Sequence, residues 1–224
     1  GKEVVARLIH DRSSRRDNAF VVVNCASMAP ERMEEELFGI ESGAINGNDG
    51  VKIGTFEEAH KGSLLLDDIA DMPMETQGKI VRSLQDQVFN RGGGGTRVEV
   101  DVRVMATTTK DLSAEIAAGR FREDLFYRLN EVCFNLPPLR ERGSDVYELA
   151  KFFMGKYAIQ YGLDAKVFTK ESIDAMTSYH WAGNVRQLES RIKKALALSE
   201  NPQITAEDLG LHTVEIQTLQ PLEG

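Results

Sequence analysis

The chain of 224 residues is short of cysteine, proline, tryptophan and long apolar runs. Its two cysteines, Cys25 and Cys133, stand far apart and form no CxxC, which argues against a disulfide frame and for a reducing cytosol. Both read as small buried hydrophobes. No apolar stretch approaches the roughly 18 residues of a membrane span, and no signal-peptide pattern heads the chain. The expected setting is the cytoplasm, without membrane contact. Basic residues are outnumbered, 27 Lys and Arg against 35 Asp and Glu, for a net charge of -8. That balance argues against a broad non-specific nucleic-acid face, which needs clustered cations, but leaves room for a local basic site. A hydrophobic content of 42% and a charged content of 28% suit a globular chain with one large domain, or one domain and a small satellite.

Helix and strand patterns alternate through the first 140 residues. "EVVARLIHD" places Val4, Val5, Leu8 and Ile9 on one helical face, and "FVVVN" reads as a buried strand. "APERMEEELFG" starts a helix near Pro30 and stops it at Gly39. "GIESGAINGNDGVKIG" is a loop. In "DMPMETQGKIVRSLQDQVF", Asp71 is a candidate cap, Pro73 begins a helix, and Ile80, Val81, Leu84 and Val88 line its buried side. "RVEVDVRVMATTT" alternates as one strand, and "EVCFNLPPLRER" is a last strand broken by Pro137 and Pro138. After Arg142 the pattern is purely helical until about residue 211, where periodicity fades into a linker or tail. The expected architecture is an α/β domain followed by a small helical one.

Several short stretches carry chemistry. Gly1 and Lys2 head an amphipathic helix, as the last residues of a phosphate-binding P-loop do, although chance Gly-Lys pairs are common and Gly78–Lys79 is another. "LLLDD" is an apolar strand ending in Asp67 and Asp68. One acid can hold magnesium and the next can polarise a water, while the same pair also suits a plain turn cap. The polar strand end Thr107–Thr109 stands where a γ-phosphate sensor is expected, with Thr108 or Thr109 able to reach a phosphate oxygen. In "GRFREDLFYRL", Arg122 and Arg128 are six apart, so a continuous helix cannot carry them as one basic stripe. An Asp124–Arg128 pair at i,i+4 is the plain alternative. "WAGNVRQLE" puts Arg186 in the first turn of a helix, against the macrodipole, which calls for a partner elsewhere or for simple exposure.

Taken in order, "GKEVVARLIH", "FVVVNCASM", "ELFG", "GTFEEAHKGSLLLDDIADMP", "GRFREDLFYRLN", "LPPLRER" and "WAGNVRQLE" resemble the AAA+ domain of bacterial enhancer-binding proteins, which activate sigma-54 RNA polymerase. The likeness covers about residues 1 to 210. It implies a P-loop NTPase of three αβα layers around a central parallel sheet over 1–142, a helical lid over 143–210, and a linker over 211–224. It implies ATP or ADP with Mg2+ as ligands, and a homo-oligomeric ring, usually a hexamer, with nucleotide between subunits. By resemblance Gly1, Lys2 and Glu3 bind the nucleotide. Asp67 holds the metal with Asp68 within reach, Asp68 is the catalytic acid, and Asn24 couples that acid to the ring. Thr109 takes the first sensor position and Arg186 the second. Arg122 and Arg128 reach the nucleotide of a neighbouring subunit.

The departures from the family pattern are as informative. The loop Gly-Ala-Phe-Thr-Gly-Ala that grips sigma-54 reads "GAINGN" over 43–48, with Ile45 for the aromatic, Asn46 for Thr and Asn48 for Ala. The sensor asparagine is Thr109, and the glutamate of the acid pair is Asp68. This combination resembles the NtrX-type two-component response regulators, which carry a receiver before this domain and a DNA-binding helix-turn-helix domain after it. Three expectations follow: an ATPase of a transcription regulator, a nucleotide-gated assembly factor with weak turnover and no polymerase remodelling, or a structural fragment if the P-loop is missing. The strand that feeds a P-loop is central in this fold and would precede Gly1, so residues upstream are expected.

Overall fold

The computed structural model describes residues 1–41, 51–93 and 96–211. They form two compact units, 1–134 and 135–224 in extent, each with its own core. The first contains α1 (Lys2–Asp11), β1 (Phe20–Asn24), α2 (Pro30–Phe38), α3 (Thr55–Glu58), β2 (Ser63–Asp67), α4 (Met74–Asp86), β3 (Val88–Asn90), β4 (Arg97–Glu99), β5 (Arg103–Ala106), α5 (Leu112–Ala117) and α6 (Glu123–Leu129). Its main sheet is parallel, in the order β1-β2-β5, with Val23 opposite Leu66 and Asn24 opposite Asp67.

The central strand explains the layers. Leu64, Leu65 and Leu66 are all fully buried, as a strand covered on both faces requires. Leu64 and Leu66 join one core with Met33, Leu37, Ile80 and Leu125, so α2, α4 and α6 cover that side. Ser63 and Leu65 point to the other face. There α1 packs, and the His10 ring meets the Ser63 hydroxyl at 2.9 Å. The covering face of α1 is therefore Ala6 and His10, while Val4 and Leu8 of the expected apolar face are exposed. A buried histidine satisfied by a hydroxyl carries no apolar periodicity, so the pattern pointed elsewhere.

α2 begins at Pro30 and ends at Gly39, as expected. Gly39 has φ +75°, and a Cβ there would stand 2.3 Å from the Lys52 carbonyl oxygen, so only glycine fits. Other expectations are corrected. Asp71 does not cap α4; its carboxylate accepts from Lys110 Nζ at 2.6 Å, and Pro73 occupies the N-cap. Residues 97–109 are not one strand. β4 pairs antiparallel with β3, the chain turns at Val100–Val102, and β5 joins β2. The Val100 amide still bonds the Gln87 carbonyl at 2.9 Å, one more rung in the register of β3 and β4, and beyond it the chain leaves β3 for β2. Residues 131–136 form no strand either: Val132 and Phe134 are exposed, with no hydrogen-bonded strand beside them among the described residues. Cys25 is buried as expected, whereas Cys133 is exposed.

The second unit contains α7 (Asp145–Tyr161), β6 (Val167–Phe168), α8 (Lys170–Ser178), α9 (Asn184–Leu198) and β7 (Gln203–Ile204). It is not purely helical, because β6 and β7 form a short parallel pair. Trp181 is fully buried at its centre and donates its indole N–H to the Met176 carbonyl at 2.7 Å. Leu211 still belongs to this core. The expected tail beyond it, and the loop over 43–48, lie outside the described residues.

Candidate nucleotide site

In an open parallel sheet, ligands sit beyond the carboxyl ends of the strands. β2 delivers Asp67 and Asp68 to that end. Asp67 is held by Thr107, the first residue after β5, whose hydroxyl donates to its Oδ1. The same Thr107 oxygen accepts the Asp68 amide at 3.2 Å, and the Thr107 carbonyl accepts the Ile69 amide at 2.9 Å. One threonine therefore fixes both acids. Asp68 itself is left-handed, φ 52° and ψ 53°, at the start of a 3-10 turn over Ile69–Asp71. Aspartate tolerates that conformation better than most residues, because its short polar side chain finds local partners.

Lys2 comes to the same place from the start of α1. Its Nζ lies 3.4 Å from Asp68 Oδ1, both side chains being about a quarter to a third exposed. Gly1 caps the helix, its carbonyl accepting the Val5 amide at 3.1 Å, and Glu3 is exposed in the first turn. A helix N-terminus with a lysine, facing two carboxylates, can receive an anion and a cation together. Beneath the acids Cys25 is buried, and its amide donates to the Asp67 carbonyl at 2.9 Å. Burial, reinforced by Asp67, Asp71 and Asp68, pushes its thiol up to about 12, so it stays protonated and inert.

Among the described residues no three or more His, Cys, Asp or Glu side chains converge as a metal cage. Magnesium takes one or two protein carboxylates and keeps water and phosphate oxygens for its other positions, and Asp67 with Asp68 could supply such carboxylates. Asn24 ends β1 opposite Asp67, and its Oδ1 accepts the Ser27 amide at 2.9 Å; no hydrogen bond joins it to Asp68 among the described residues. Thr109 is exposed, and among the described residues the Thr108 hydroxyl bonds only Lys110. The threonine that touches the acids is Thr107, which sequence reasoning placed in the right stretch without singling it out. Burial of the strand end would have favoured it, since Thr107 continues directly from the β5 ladder.

The two arginines do not form the Asp124–Arg128 pair that the spacing suggests. Arg122 lies before α6, as its N-cap, so a single continuous helix does not carry both. Its guanidinium grips Asp124 through two bonds, at 3.0 and 2.7 Å, so Asp124 pairs with Arg122 and not with Arg128. That contact holds the Asp124 carboxyl below the usual carboxylate range. Arg128 donates to the Leu84 carbonyl of α4 at 3.0 Å and is exposed. Both guanidinium groups thus lie along α4. Arg186 sits in the first turn of α9 in the second unit, exposed and without a hydrogen bond or ion pair among the described residues. Gln77, a buried residue of α4 that the apolar pattern could not flag, holds the Arg122 amide at 2.8 Å.

Known proteins resemble this chain in sequence and fold. Residues 1–135 match the sigma-54 interaction domain, and residues 140–221 match the AAA+ ATPase lid domain. The nitrogen assimilation regulatory protein NtrX of Azorhizobium caulinodans is 45% identical over 199 residues, covering 89% of this chain and 43% of that protein. The transcriptional regulatory protein FlbD of Caulobacter vibrioides is 42% identical over 221 residues, covering 99% of this chain and 48% of that protein. The crystal structure of NtrX from Brucella abortus in complex with ATP superposes with a TM-score of 0.86 at 43% identity, over all of this chain and 49% of that one. The chain thus spans about half the length of the relatives it matches. The parallel sheet and the helical second unit agree with these matches, and the chain belongs to the sigma-54 interaction domain family, an AAA+ αβα domain followed by its ATPase lid.

Proposed function

We propose that this chain binds ATP with magnesium, hydrolyses it slowly, and assembles into a ring as part of an NtrX-like transcription regulator. The observation that carries this is the meeting of Lys2, Asp67 and Asp68 at the carboxyl end of β2, fastened by Thr107. The NtrX of Brucella abortus, crystallised with ATP and with ADP, supports the choice of nucleotide.

In the reaction a water oxygen attacks the γ-phosphorus in line as the bond to the bridging oxygen breaks, giving ADP and phosphate. Asp67 would hold magnesium, which would neutralise charge on the phosphate oxygens. Lys2 leaves Asp68 for the outer phosphates, and Asp68, relieved of its ion pair, orients the water. Thr107 keeps Asp67 in place. Arg122 and Arg128 meet the phosphate of a neighbouring subunit, Asn24 couples Asp68 to the ring, and Thr109 and Arg186 complete the sensing positions. DNA contact belongs to parts of the longer regulator outside this chain. Calorimetric titration of the full-length protein with ATP and magnesium checks the site. Lys2→Ala should weaken binding by about tenfold or more, the scale of a lost charged hydrogen bond. Unchanged affinity would sink the assignment.

A second function, nucleotide-gated assembly with feeble turnover and no polymerase remodelling, is favoured by Asp68 and by "GAINGN" over 43–48. Ile45 removes an aromatic anchor of the kind that dominates interface energetics. The unmodified protein should therefore form no stable complex with sigma-54 in the presence of a transition-state analogue of ATP. Restoring Phe at Ile45 and Thr at Asn46 should recover one. A tight, nucleotide-dependent complex from the unmodified protein would defeat this function.

A further inference from the structure

We propose that Gln77 is the positioning residue for Arg122, setting where its guanidinium stands for the neighbouring subunit. This rests on the assignment of Arg122 to a nucleotide in trans. Gln77 is fully buried in the first turns of α4, where a polar side chain is costly unless satisfied. Its amide nitrogen donates to the Met72 carbonyl at 2.8 Å and to the Arg120 carbonyl at 3.1 Å, and its oxygen accepts the Arg122 amide at 2.8 Å. Two carbonyls and one N–H admit a single orientation of the amide.

These bonds bracket the arginine. Gln77 holds the residue two before Arg122 and the Arg122 backbone itself, so the short segment 120–122 is clamped to α4 at both ends. Phe121, between the two contacts, is buried in the core, and Gly119 with φ +70° turns the chain into the clamp. Beyond the backbone, the guanidinium passes over Gly78, one residue after Gln77; a Cβ at that position would stand 3.5 Å from Nη1. The cation thus lies on α4 beside an open cavity of about 310 Å3, lined also by Lys79 and Arg82. Asp124 steers the guanidinium, but Asp124 and Arg122 are both on the outer segment. The Arg120 and Phe121 amides also bond the Glu115 carbonyl of α5, but among the described residues it is Gln77 that ties the backbone of this segment to α4.

The test uses the full-length protein with Gln77→Met, Arg122→Ala and the double variant, in steady-state ATPase assays with thermal midpoints measured alongside. Gln77→Met keeps the length and removes all three bonds. A misplacement of about 1 Å costs about 10²-fold, so kcat should fall on that scale while KM for ATP stays within about twofold. In the Arg122→Ala background Gln77→Met should cost nothing further, because the group it positions is gone. Gln77→Asn keeps the amide but withdraws it by one methylene, so it should lower kcat in the same direction as Gln77→Met, and it serves in place of Gln77→Met if that variant does not fold. Wild-type turnover in Gln77→Met, or the same fold-loss with and without Arg122, would overturn the positioning role while leaving Arg122 in its own. Full turnover in Arg122→Ala alone would remove the trans assignment, and the positioning role with it.

Discussion

Arg122→Ala should lower ATP turnover of the assembled protein by about 10³-fold or more, with nucleotide affinity of the isolated subunit almost unchanged. The expected size follows from what an arginine does at a transferring phosphoryl group. It meets charge that grows only in the transition state, in a site from which water is excluded, so its loss falls on kcat. The structure adds a reason why Arg122 suits this work. Its backbone is fixed by Gln77, while its guanidinium, about two-fifths exposed, is occupied by Asp124 alone. An ion pair this exposed contributes little, so exchanging Asp124 for a phosphate is easy. Arg128 is exposed and tied by one bond to the Leu84 carbonyl, so Arg128→Ala should act in the same direction. Turnover measured with Arg122→Ala subunits mixed with Asp68→Ala subunits decides whether the effect crosses an interface. Each variant keeps what the other lacks, and partial recovery is expected. Full activity in Arg122→Ala alone would return this arginine to a surface ion pair with Asp124.

Much of the scaffold under this site was readable from residue order. "SLLLD" has too many consecutive apolar residues for a half-exposed strand and is buried. "FVVVN" reads the same way, yet at the end of the three-stranded sheet only its Val23 is buried and Val22 is exposed, while the two strands pair in register. Pro30 and Gly39 bounded α2 because one pre-sets a helical φ and the other accepts a backbone that no side chain fits. Asp67, Asp68 and Lys2 could be named in advance, since strand-end acids and a helix-head lysine are defined by position along the chain. What brings them together is not. Thr107, His10 and Gln77 are polar groups satisfied by partners 40, 53 and 45 residues away, and no local periodicity marks such a residue. Alternation misled in two places for a related reason. Val98, Val100, Val102 and Val104 keep a strand rhythm straight through a turn, because both flanking segments need the same face buried. Val132, Phe134 and Leu136 keep that rhythm with no hydrogen-bonded strand beside them among the described residues, and a strand is defined by its partner.

Asp68→Glu should raise kcat, by up to about 10²-fold, with KM for ATP nearly unchanged. An aspartate carboxylate stops about 1.5 Å short of where a glutamate carboxylate would reach, one methylene less of chain. Positioning a water is sensitive to displacements of about 1 Å, while ATP binding leans on Lys2 and Asp67, which stay. The backbone opposes the change. Asp68 is left-handed at φ 52°, a conformation that costs an ordinary side chain about 1–2 kcal/mol and aspartate less. A 10²-fold gain in rate corresponds to about 2.7 kcal/mol of barrier. The rate term is therefore the larger, and the backbone term should appear separately, as a lower unfolding midpoint for Asp68→Glu. Thr107 limits the damage, because its hydroxyl accepts the residue-68 amide whichever acid follows. The measurement is steady-state ATPase of the full-length protein at saturating magnesium, wild type beside Asp68→Glu, with urea midpoints for both. A faster but less stable variant would mean that aspartate holds turnover down while easing a strained turn. If kcat falls instead, the left-handed turn and its Lys2 contact are built for aspartate, and the slow-ATPase assignment fails.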